Sequence, residues 1–144
     1  MKKNKKNSNT ALAEKKYTLT KKDLKGIESD TKTVLKMTKQ FWGSIDEVRI
    51  QWTVFSKDLT RINSYQEFLI DNFSKTFDFE FYIDQRINSD KSSQLSVVIE
   101  CFPVDREKII EVAKFIYKTA ESMGCNYVQT FLDILPEDDP RFQY

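Results

Sequence analysis

Residues 77–101 read FDFEFYIDQRINSDKSSQLSVVIEC, and this stretch decides the fold. Phe77, Phe79, Phe81 and Ile83 alternate with Asp78, Glu80, Tyr82 and Asp84. A period of two sends successive side chains to opposite faces, so the run predicts a strand with one apolar and one polar face. A polar loop rich in Asn, Ser and Asp follows, and then Leu95, Val97, Ile99 and Cys101 repeat the period. Together they predict an antiparallel hairpin with a long, mobile connection. In that register Cys101 points into the core and Phe102 points away from it.

Working outward towards the C-terminus, Asp105 can cap a helix whose inward stripe is Ile109, Val112, Ala113, Ile116, Ala120 and Met123. Gly124 stands where a left-handed residue ends such a helix. Tyr127 to Leu135 reads as a final strand stopped by Pro136, and residues 137–144 read as an acidic tail. Towards the N-terminus, Ser64-Tyr65-Gln66-Glu67 has the spacing of a capping box, with Phe68, Leu69 and Phe73 on one helical face as far as about Lys75. Before it, Val48, Ile50, Trp52 and Val54 alternate with Arg49, Gln51 and Thr53, a half-buried strand. Residues 44–136 therefore carry the order β-α-β-β-α-β. That order predicts an α+β ferredoxin-like sandwich, with both helices on one side of an antiparallel sheet.

An extra helix is expected inside residues 20–43. It runs from about Asp30 to Trp42, with Ser29 or Asp30 as its cap, Gly43 as its stop and Gly26 as an interruption before it. Residues 1–19 read as a flexible basic arm, because MKKNKKNSNTALAEKK has no apolar period. Charge divides along the same line. Residues 1–40 hold twelve lysines against Glu14, Asp23, Glu28 and Asp30, a net +8 within a chain whose total is +1. A basic arm on an acidic body implies an anionic partner for the arm or a contact between the two.

The 144 residues, 40% of them hydrophobic, suffice for one core and not for two domains. No apolar run is long enough to span a membrane, and the initial lysines lead into Asn, Ser and Thr, so the expected location is the cytoplasm. Two cysteines, Cys101 and Cys125, read as reduced, buried thiols.

The chain has no histidine, which removes imidazole-based nucleophile activation, acid–base work and most zinc sites. Only three glycines, Gly26, Gly43 and Gly124, are present, so no phosphate-cradling loop can be assembled. The acidic residues Asp78, Glu80 and Asp84 are explained by a solvated strand face. The expectation is a protein without catalytic residues, metal or cofactor.

A sheet covered by helices on one side leaves the other side open. In this register that side displays Phe55, Glu80, Tyr82, Asp84, Val98, Glu100, Phe102 and either the Tyr127, Gln129, Phe131 row or its alternate. Single-stranded RNA binding wants aromatics among basic residues. This face is aromatic and acidic, which suits a protein partner, a self-pairing surface that would make a homodimer, or the N-terminal helix docked across it. Glu80, Tyr82, Asp84, Glu100 and Phe102 are the candidate partner-binding residues. The alternative is nucleic-acid association through Lys2, Lys3, Lys5, Lys6, Lys15 and Lys16, with the domain dimerising; the plainer reading of those lysines is a solubilising tail.

The run Val97-Val98-Ile99-Glu100-Cys101-Phe102-Pro103 leading into a helix, with Ala120-Glu121-Ser122-Met123-Gly124-Cys125-Asn126-Tyr127 after it, resembles the RraB-like family of bacterial regulators of ribonuclease activity. The pattern covers roughly residues 95–132. It departs after Tyr127, where Val128-Gln129-Thr130 stands in place of the family's Asp-Gly-Trp run, and the family lacks the basic arm. The resemblance implies a ferredoxin-like domain that acts without catalysis, inhibiting an endoribonuclease by binding it directly.

Overall fold

The computed structural model describes residues 17–135 together with 137 and 139. The lysines from Lys2 to Lys16 and most of the predicted acidic tail lie outside the described residues. The elements run α1 (Lys21–Trp42), β1 (Glu47–Ser56), α2 (Leu59–Thr76), β2 (Tyr82–Ile87), β3 (Ser93–Pro103), α3 (Arg106–Ser122) and β4 (Asn126–Leu132). They form a mixed α+β structure with an antiparallel sheet in the order β2-β3-β1-β4. No described helix is long and apolar enough to cross a membrane.

The inner face of β1 is Val48, Ile50, Trp52 and Val54, all buried as the alternation requires. α2 packs over β3 and β1, and α3 over β4 and β1. Trp52 meets the Phe102 ring edge-on at 5.2 Å between centroids. In α3 the residues Ile109, Val112, Ala113, Ile116 and Ala120 are buried as expected, and so is Met123 at its C-cap. Asp105 caps the helix by accepting the Glu107 N–H at 2.9 Å. Gly124 takes φ +82°, the left-handed conformation that only glycine adopts freely.

α1 begins nine residues earlier than the periodicity suggests, at Lys21. Its cap is Thr20, whose hydroxyl accepts the Asp23 N–H while Asp23 accepts the Thr20 N–H, a complete capping box. Gly26 sits within the helix without breaking it, because the cap and the buried stripe Ile27, Thr31, Val34 and Thr38 outweigh about 1 kcal/mol of lost propensity. α2 likewise starts earlier, at Leu59, where Asp58 accepts the Thr60 N–H at 2.9 Å. Ser64 and Glu67 therefore lie inside the helix and do not cap it, and Ile62 and Tyr65 join Leu69 and Phe73 in the core.

The hairpin differs in its limits. Phe77, Phe79 and Phe81 do turn towards the core, yet hydrogen-bonded pairing begins only at Tyr82. The loop is tight instead of long: Lys91 N–H reaches the Asn88 carbonyl at 2.9 Å, with Lys91 itself at φ +72°. Asp90 holds the turn by accepting the Ser92 N–H and hydroxyl.

α1 does not lie across the open face. It packs beside α3 and along β4. Two features account for this. The open face is polar at its centre, where Gln51 donates to the Ser96 hydroxyl and Thr53 shares a hydrogen bond with it, each at 3.0 Å. At β4, the Asp30 carboxylate accepts the outward-facing Thr130 N–H at 3.2 Å.

Candidate functional site

A β-bulge shapes the site. Ile50 pairs with Ile99 and Val48 with Phe102, so Arg49 on β1 faces an extra residue on β3. The slip reverses the faces of the last residues of β3. Phe102 becomes fully buried on the helix side and Cys101 becomes exposed, the opposite of the expected register. Phe102 is thus removed from the candidate surface; it lies beneath it, with Phe79 at 4.6 Å and Trp52 on its other side. The physical reason is volume, since the bulge buries an aromatic ring where strict alternation would bury a thiol.

Beyond the bulge the segment 78–81, before pairing begins at Tyr82, stands away from β3. The cavity between them is about 470 Å³ and is lined by Glu47, Asp78, Phe79, Glu80, Phe81, Tyr82, Val98, Ile99, Glu100, Cys101 and Pro103. Carboxylates and aromatic rings make up most of this lining, and among the described residues no Lys or Arg is in it. Glu80, Tyr82 and Glu100, three of the residues singled out by sequence, therefore meet in one cleft. Asp84 lies on the same face one pair further along β2, opposite Ser96.

Next to the cleft is a charged network. Arg49 donates to Glu100 at 3.1 Å and lies 3.4 Å from Asp133. Arg86 lies 3.3 Å from Asp84. The face as a whole is consequently less acidic than the alternating carboxylates suggest, and the acidic character is concentrated in the cleft. Partial burial raises the Tyr82 phenol above its ordinary 10.0, and the Glu100 and Asp133 carboxylates add to this against Arg49. Burial also raises the Asp133 carboxyl, with Arg49 opposing it.

Glu47, Asp78, Arg49 and Asp133 were not singled out from the sequence. Asp78 and Glu47 sit in visible alternating patterns, but their convergence depends on the bulge. A signal for the bulge exists in hindsight: Phe102 is larger and more apolar than Cys101, so a strict period of two would expose the wrong residue.

The final strand resolves its own ambiguity through a second irregularity. Thr53 pairs with Gln129 and Val54 with Tyr127, so Val128 is extra. Tyr127 turns to the helix side, stacked on Tyr117 at 4.7 Å, while Gln129 and Phe131 face the open side. Tyr117 also stacks on Tyr17, and both phenols donate to Asp23. Burial alone would raise Asp23, but the hydrogen bonds from Thr20, Tyr117 and Tyr17 outweigh it and lower its carboxyl below 3.8.

A larger cavity of about 900 Å³ lies between this corner and the end of α2, lined among others by Leu19, Leu24, Phe77 and Phe115 with Lys114 and Lys118. The second cysteine, Cys125, is buried, and desolvation pushes its thiol up to about 12, so it packs as an apolar group. Among the described residues no cluster of His, Cys, Asp and Glu has the geometry to hold a metal ion. Compared with known proteins, the chain matches no protein-family model and no curated protein.

Proposed function

We propose that this chain is a non-catalytic interaction protein that seats a basic segment of a protein partner in the cleft between residues 78–81 and β3. The observation that carries the reading is the lining of the cleft: Glu47, Asp78, Glu80 and Glu100 line it together with aromatic walls, and among the described residues no basic side chain does. A lysine or arginine entering it gains several carboxylates at once while its alkyl stem lies on Phe79, Phe81 and Tyr82. Opposed potentials speed association and discriminate against acidic partners.

On the same footing we read the domain as ferredoxin-like, on the support of the strand order β4-β1-β3-β2 and the β-α-β-β-α-β succession after α1. That fold hosts many functions, so the functional reading stands on the cleft and not on the fold. The resemblance of residues 95–132 to the RraB-like family would make the partner an endoribonuclease.

The test is capture from host lysate by the tagged chain and by a Glu80→Lys/Glu100→Lys variant, with folding checked by circular dichroism. Both side chains are exposed, so the variant is expected to fold. Capture of a defined protein by the wild type, resistant to nuclease and lost in the variant, supports the reading. Equal capture by the folded variant rejects it. Capture that collapses on nuclease treatment, or on removal of residues 1–16, transfers the function to the basic arm and to nucleic acid.

A further inference from the structure

The sheet has two edges, and among the described residues β2 pairs with β3 alone. The Asn88 N–H reaches the Ser92 carbonyl at 2.8 Å, which turns the backbone groups of the even-numbered residues of this strand towards β3. Alternation then places the N–H and C=O groups of Ile83, Gln85 and Ile87 along the outer edge. The β2–β3 ladder runs from Tyr82 to Ile87 without a register shift, so no bulge turns this edge away. Ile87 is 64% exposed.

We propose that β2 pairs antiparallel with β2 of a second copy about a twofold axis through Gln85, making one sheet continuous across both copies. The charge pattern chooses this occupant. With the axis at Gln85, Asp84 of each copy lies opposite Arg86 of the other on the open face. Ile83 lies opposite Ile87 of the second copy on the helix side. Gln85 exchanges both backbone hydrogen bonds with its mate, and Ile83 does so with Ile87. Moving the axis to Asp84 or to Arg86 sets like charges directly opposite each other, which is unfavourable. Placing it between two residues would pair an open-face residue with a helix-side one. An axis at Ile83 or Ile87 would pair at most three residues of β2 with their mates, against five about Gln85, so the Gln85 register is the longest one free of like-charge opposition. Asp84 and Arg86 already contact each other at 3.3 Å within the strand, and both are well exposed, so pairing exchanges one partner for another at little desolvation.

A charged edge strand can instead serve to block association. Sedimentation of the full chain up to its highest soluble concentration separates the two. The pairing predicts a concentration-dependent dimer. Asp84→Arg and Arg86→Asp each place like charges opposite each other twice per dimer, and each is expected to weaken association by about tenfold or more. The double variant Asp84→Arg/Arg86→Asp restores complementarity and the dimer. So does an equimolar mixture of the two single variants, which pairs an all-Arg strand with an all-Asp strand and also shows that both variants are folded. A chain monomeric at every concentration overturns the proposal. So does a dimer that the single variants form as readily as the wild type, or one that neither the double variant nor the mixture recovers.

Discussion

The two edges of the sheet show how differently one chain can finish the same structural problem. At β4 an entire helix closes the edge: Ile27 and Val34 are buried, and Asp30 satisfies the Thr130 N–H. At β2, among the described residues, no strand pairs with the outer edge, and Arg86, Asp84 and Ile87 are exposed to solvent. An unpaired backbone edge tolerates water but not burial, so the first edge belongs to the core of the fold and the second to its surface. Stability should therefore be concentrated at β4, and association at β2.

The largest expected effect tests the closed edge directly. Ile27→Ala should lower the free energy of unfolding by about 2–5 kcal/mol, the usual range for emptying such a buried site. Ile87→Ala, at the open edge, should stay within about 0.5 kcal/mol. Urea titrations of both variants check the contrast, and equal losses would break it.

Next comes Asp30. Replacement by Ala strands a partly buried backbone donor and should lose about 1–3 kcal/mol. Replacement by Asn keeps an acceptor and should lose much less. The pH dependence has a definite sign. Burial raises the Asp30 carboxyl in the native state, with the Thr130 N–H only partly opposing it. Its contribution is therefore full below the ordinary value of 3.8 and is lost as pH rises through the higher native value. Asp30→Asn should accordingly gain on the wild type across that window, which unfolding curves on either side of it would show.

Amide exchange compares the edges without mutation. The Thr130 amide, held by Asp30, should exchange slowly, and the outward amides of Ile83, Gln85 and Ile87 should exchange fast in the monomer. If β2 pairs, the latter slow as concentration rises while Thr130 is unchanged. The smallest effect lies in the turn that leaves the open edge. Lys91→Gly removes the penalty of a left-handed side-chain residue and should raise stability by up to about 1 kcal/mol, measured by thermal unfolding.

Much of this architecture was legible in the chain itself. The inward faces of β1 and α3 followed from periods of two and 3.6, because burial of one face imposes its own spacing on the sequence. Gly124 and Asp105 marked the ends of α3, since a left-handed residue and an oxygen cap are local requirements. The absence of histidine bounded the chemistry on its own. The starts of α1 and α2 were less legible because Thr20 and Asp58 compete with Ser29, Asp30 and Ser64, all able to cap. Only the tertiary contacts choose among them.

Glu80, Tyr82 and Glu100 were recognised as surface residues from alternation, but that they share a cleft was not legible, and Phe102 was placed on the wrong face. Both follow from the bulge opposite Arg49, where two residues of β3 face one of β1. A strand read alone shows its period. It does not show where its partner slips, because the slip is settled by which side chains fill the space between two elements far apart in sequence. The position of α1 has the same origin. Its stripe announces that one face will be buried, but the polar centre of the open face and the outward Thr130 N–H on β4, both set by residues far along the chain, determine against what.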